Sequence, residues 1–147
     1  MKTTLLIGIV GIVVVAAICQ VIAGQSVAKQ ISSTYREKEY EFTVTQEDLD
    51  KSPPWLEDQD APALAPRAAV RIAKKYVSRS MPHAEEWLLS KVGLERVGGR
   101  GNQWIYIIDF VPYEPEKRYE SALTLFRIPV LLNGITVEPI TKPAGRR

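Results

Sequence analysis

The nine residues QWIYIIDFV, 103 to 111, restrict the fold more than any other stretch of the chain. β-Branched and aromatic side chains dominate them, and they read as a strand. Side chains alternate across a strand, so Trp104, Tyr106, Ile108 and Phe110 share one face while Ile105, Ile107 and Val111 share the other. Both faces are apolar. Burying Ile105, Ile107 and Val111 contributes roughly 4 to 8 kcal/mol, at about 1.5 to 3 per large side chain. One helix covers only one face, so a second layer is required. Either the Trp55 loop and the linker ahead of the domain supply it, or a protein partner or second copy does.

The helix itself is readable. Pro66 suits a first helical turn, and Ala69, Ile72, Ala73, Tyr76 and Val77 form an apolar stripe that runs to about Ser80, before Pro82. Arg67, Arg71, Lys74, Lys75 and Arg79 occupy the opposite face with no acid among them. Like charges four apart each cost a few tenths of a kcal/mol. The face is therefore either a contact for an anionic partner or lipid headgroup, or a solvated surface balanced by the acids at 47 to 60.

Around these two elements the remaining signals fall in order. Tyr40, Phe42 and Val44 alternate with polar residues as a half-buried strand, and Thr45 with Asp48 suits the cap of a short helical turn. Proline-rich residues 52 to 66 read as a loop pinned by Trp55. Leu88 to Val97 is a strand, GGRGN a turn, and Leu123 to Leu132 a strand in which Pro129 marks an edge or bulge. Asn133-Gly134 signals a hairpin returning Ile135 to Ile140.

Residues 5 to 23, LLIGIVGIVVVAAICQVIA, decide location. Nineteen helical residues at about 1.5 Å each span roughly 28 Å, close to a bilayer's hydrocarbon core. Lys2 precedes the run and no acid occurs before Glu37, which predicts a cytoplasmic N-terminus and an extracytoplasmic C-terminal domain. A cleaved signal peptide, leaving a secreted or periplasmic domain, is the alternative. A lipoprotein cysteine at Cys19 is a third reading, but Ile18 before it is bulky. The expected division is an anchor or signal over 1–25, a juxtamembrane spacer over 26–38, an α+β domain over 39–140 and a disordered basic tail over 141–147. Cys19 is the sole cysteine, so the domain has no internal disulfide. The net charge of +2 gives no argument for nucleic acid.

The predicted fold class is α+β: an N-terminal transmembrane or signal helix, then one helix on a curled antiparallel sheet of four to five strands. The order of strand, helix and four strands over about residues 38 to 140 resembles the cystatin-like fold and small exported PepSY-like domains. That resemblance implies a helix lying across a curled meander. Gln20–Gly24 matches the cystatin QxVxG hairpin in letters but precedes the helix instead of following it, so no functional residue carries over.

Catalytic signals are sparse. His83 is the only histidine, and an arrangement of Ser78 or Ser80, His83 and Asp109 lacks any sign of an oxyanion hole. The acids between Glu47 and Asp60 lack calcium-loop spacing, and adjacent Glu85 and Glu86 point opposite ways in a strand. GGRG lacks the Lys-Ser or Lys-Thr of a phosphate loop. No cofactor or metal is implied. The expected function is a non-catalytic, membrane-tethered binding module, holding the bilayer through residues 5–23 and a protein partner or second copy through Ile105, Ile107, Val111 and the basic helix face. The alternative is a small enzyme or ligand carrier with a concave pocket lined by Trp104, Tyr106 and Phe110, with Asp109 or His83 at its mouth.

Overall fold

The computed structural model describes residues 26–98, 101–112 and 125–145. In order these form β1 (Val27–Tyr35), β2 (Lys38–Thr45), α1 (Gln46–Asp50), α2 (Pro66–Ser80), a 3-10 turn (Ala84–Glu86), β3 (Trp87–Arg96), β4 (Trp104–Pro112), β5 (Phe126–Leu131) and β6 (Ile140–Pro143). Two three-stranded antiparallel sheets result, ordered β1-β2-β6 and β3-β4-β5. The single meander of four to five strands, and the α+β class with it, are thereby corrected to a mostly β architecture carrying one long helix. Residues 5–23 lie outside the described residues, and no helix among the described residues is long and apolar enough to cross a membrane.

The largest departure is β1, which occupies the segment expected as a spacer. Ile31, Ser33 and Tyr35 are buried and alternate with exposed Gln30, Ser32 and Thr34. Arg36 and Glu37 then close a two-residue hairpin that pairs Tyr35 with Lys38. Arg36 adopts φ 54°, the positive value such loops demand, without a glycine to announce it.

β5 explains why the sheet stops there. The Arg127 amide, on the side away from β4, donates to the Ser33 hydroxyl of β1 at 2.9 Å. Two residues on, Pro129 has no amide to offer. Two further, the Leu131 amide donates to the Ile135 carbonyl at 2.9 Å. With its outward amides engaged or absent in this way, β5 is not joined by the expected returning strand. Gly134 does make the turn, with φ 84°, but the return is only an isolated Val130–Thr136 bridge. The chain runs on, and Ile140–Pro143 pairs with β2 as β6. Thr141, Lys142 and Pro143, expected in a disordered tail, are therefore in a strand.

Other elements follow local chemistry. Thr45 caps α1 by a reciprocal pair of bonds with Asp48, at 3.2 Å from the Asp48 amide and 2.9 Å back to the Asp48 carboxylate. α2 begins on Pro66 and buries Ala69, Ala73, Tyr76 and Val77, as the spacing predicts. The core centres on the Phe126 ring, which meets Tyr40 at 5.0 Å, Trp87 at 5.4 Å and Phe42 at 6.0 Å in edge-on geometry. Phe42 in turn meets Tyr76 of α2 at 5.8 Å. One ring cluster thus ties both sheets to the helix.

Candidate functional site

Strand β4 is buried on both faces, from Ile105 to Phe110. On the first face, Tyr106 donates its hydroxyl to the Leu64 carbonyl at 2.9 Å. The Trp55 ring meets Trp104 at 5.1 Å, and Phe110 borders a cleft of about 220 Å³ with Val77 and Trp87. The helix and the Trp55 loop therefore cover the same side. On the second face, Ile107 borders a polar recess of about 190 Å³ with Lys29, Gln30, Ile31 and Ser32 of β1. A Lys29–Glu95 ion pair of 3.0 Å bridges β1 to β3 across it. Of the two ways to cover this face within the chain, the linker supplies the layer and the Trp55 loop does not. Ile105 and Ile107 are buried and Val111 is half-buried without a partner chain.

Asp109 lies on that second face, with its side chain only 5% exposed. Arg127 Nε stands 3.7 Å away, too far for a hydrogen bond, and Oδ1 has no hydrogen-bond partner among the described residues. Burial pushes the carboxyl above the usual carboxylate range, against the pull of Arg127 and Lys91. Trp104, Tyr106 and Phe110 point the opposite way, so Asp109 does not stand at the mouth of a pocket they line. The loop packs on two of those rings, Trp55 against Trp104 and the Leu64 carbonyl on Tyr106, and Phe110 borders the cleft beside Val77 of α2.

His83 is exposed at φ 53°, with Nδ1 at 3.9 Å from Glu85. No hydrogen bond or ion pair among the described residues joins it to Asp109, Ser78 or Ser80. Glu85 and Glu86 lie in the 3-10 turn rather than on a strand, where with His83 they bring three possible ligand atoms within 4.8 Å of one another. All three are solvated, a common condition for surface acids. In the acidic segment, Glu47 bonds Lys51 at 2.6 Å, Asp48 caps α1, and Asp50 accepts from Gln46 and Gln103. Those acids are engaged locally. The GGRGN turn holds Gly98 at φ 85° and Gly101 at φ 106°, and the Val97 amide closes onto the Gln103 carbonyl at 2.8 Å.

What remains open is the outer surface of α2. Arg67, Arg71, Lys75 and Arg79 stand at four-residue intervals and form one exposed row, with Lys74 beside it. Arg79 pairs with Glu138 and lies 5.6 Å over the Tyr76 ring. Arg67, Arg71, Lys74 and Lys75 have no ion pair among the described residues.

Two features escape a sequence reading. A recess of about 500 Å³ opens between the β1–β2 turn and the end of α2, lined by Tyr35, Arg36, Lys38, Tyr40, Ser80 and Pro82. Burial raises the pKa of Tyr40 there, with neighbouring Tyr35 adding to it. The outer edge of β3 exposes Leu88 by 51%, Leu89 by 42% and Val92 by 39%. The period-two pattern of β3 is weak, so nothing in the sequence distinguishes this strand as an edge. Compared with known proteins, the chain matches no protein-family model, no curated protein and no solved structure.

Proposed function

We propose that the chain is a membrane-tethered, extracytoplasmic interaction module whose α2 surface engages an acidic face of a protein partner. The observation that carries this reading is the row of cations on α2. Arg67, Arg71 and Lys75 lie along one ridge and Lys74 flanks it, with no compensating acid among the described residues. Such a row costs stability in isolation, and an acidic partner removes that cost while steering association. Residues 5–23 hold the module at the bilayer, with its N-terminus cytoplasmic. In this reading the role is binding rather than catalysis.

The test uses full-length protein in its own membranes, with a photo-crosslinking residue in place of Lys74. A captured protein that disappears on Arg71→Glu with Lys75→Glu, while the melting temperature stays unchanged, supports the reading. Full-length chain in the soluble fraction, or a captured set indifferent to charge reversal, overturns it.

A further inference from the structure

An exposed strand edge invites an occupant or a defence, since unpaired amides and carbonyls template pairing with another chain. On the outer edge of β5 the Arg127 and Leu131 amides are held by Ser33 and the Ile135 carbonyl, and Pro129 between them has no amide. β6 is only four residues long and carries Lys142 and Pro143. The outer edge of β3 is neither short nor covered among the described residues. It spans ten residues, is regular from Lys91 to Arg96 beyond a bulge at Ser90, and exposes Leu88, Leu89 and Val92.

We propose that β3 pairs antiparallel with β3 of a second copy, about a two-fold axis through Gly93. Two copies related by such an axis must place one residue opposite itself, because outward-pointing backbone groups alternate along a strand. Centring on Lys91 sets like charges face to face, and centring on Val92 sets Lys91 against glycine. Centring on Leu94 sets Val92 against Arg96. Centring on Gly93 sets Lys91 opposite the second copy's Glu95, twice by symmetry, and Val92 opposite Leu94, also twice. Lys91 and Glu95 are both exposed and share a face with Gly93, whereas Val92 and Leu94 share the other face. Charge meets opposite charge and apolar meets apolar in this register alone. Gly93 places no side chain at the axis. The Glu95 carboxylate that binds Lys29 at 3.0 Å retains acceptor capacity for a second cation.

The axis runs perpendicular to the joined sheet, so both copies present the same face to the same side. Both β1 strands start on the face carrying Ile107, and both chains therefore lead back toward one bilayer. This point rests on the tethered reading above; the strand pairing itself does not.

The experiment takes the full chain in detergent micelles and measures mass by sedimentation. Wild type should dimerise, and Lys91→Glu or Glu95→Lys alone should raise the dissociation constant about tenfold or more. Because Glu95 also binds Lys29 at 3.0 Å, the rescue reverses all three residues. Lys29→Glu, Lys91→Glu and Glu95→Lys together should restore the dissociation constant to within about threefold, since both pairs are rebuilt with their signs exchanged. In a Cys19→Ser background, Gly93→Cys should oxidise to a cross-linked dimer, because self-facing residues in a strand pair lie about 4.5 to 5.5 Å apart at Cα, within disulfide reach. A cysteine at Leu89 should not. A monomer at all concentrations overturns the proposal. So does a dimer insensitive to the single reversals, which would place the contact elsewhere in the chain, or one that the triple reversal fails to restore. None of these outcomes bears on membrane fractionation, which judges the tethered reading separately.

Discussion

Asp109 shows how one residue reports on its surroundings. Its carboxyl is buried and pushed above its ordinary value chiefly by loss of water, with Arg127 compensating only in part. A carboxyl whose native pKa is raised binds its proton more tightly folded than unfolded. Its contribution to stability is therefore full below the unfolded value, 3.8, and is lost as pH rises through the native value. Asp109→Asn should melt a few degrees higher than wild type at pH 7, with the difference vanishing as pH falls below that window. Comparing the two proteins at each pH cancels other groups, including Glu41, whose hydrogen bond from Lys142 lowers its pKa and gives the opposite trend. An Asn variant less stable at pH 7 would mean that attraction to Arg127 outweighs burial. Ser33 makes a related point. It is an inward-facing hydroxyl at a position where the strand pattern calls for an apolar residue, and its work is to hold the Arg127 amide.

At the scale of elements, those same residues decide what a sequence reading can and cannot reach. α2 was readable to its ends because Pro66, the apolar stripe and Pro82 are local signals. The Thr45–Asp48 cap and the doubly apolar β4 were readable for the same reason. β1 was not, since its inward set of Ile31, Ser33 and Tyr35 includes a polar member and its hairpin turns on Arg36 without glycine. β6 is not legible because it pairs with β2 about a hundred residues earlier, a contact no local pattern carries. The basic row on α2 is legible as an exposed face, as the structure shows it, but no local pattern says what binds there. Of the two covers the sequence allows for Ile105, Ile107 and Val111, the chain's own linker or a partner, the structure places β1 over Ile107 and leaves Ile105 buried and Val111 half-buried. Ile107→Asp should accordingly destabilise the folded monomer by about 3 kcal/mol or more, from lost apolar burial plus the cost of drying a carboxylate, which Lys29 and Arg127 beside the recess offset only in part. Chemical denaturation of the full chain in micelles checks this. An unchanged midpoint would mean that the face is open to solvent or to a partner.

For the molecule as a whole, two sheets and a helix close around β4, and the chain supplies both covering layers itself. Among the described residues, the surfaces proposed for association are then the basic row of α2 and the edge of β3, rather than the flat apolar face that the strand pattern suggests. Everything in this division depends on residues 27 to 35 being a structural layer of the domain. Amide hydrogen exchange on the full chain in micelles reads that dependence residue by residue. The backbone amides of β1 that pair with β2, across Gln30 to Tyr35, should exchange as slowly as those of β4 and lose protection together with them as denaturant is added. Rapid exchange across those residues while β4 stays protected would show β1 to be a spacer after all, with some other layer on Ile105 and Ile107.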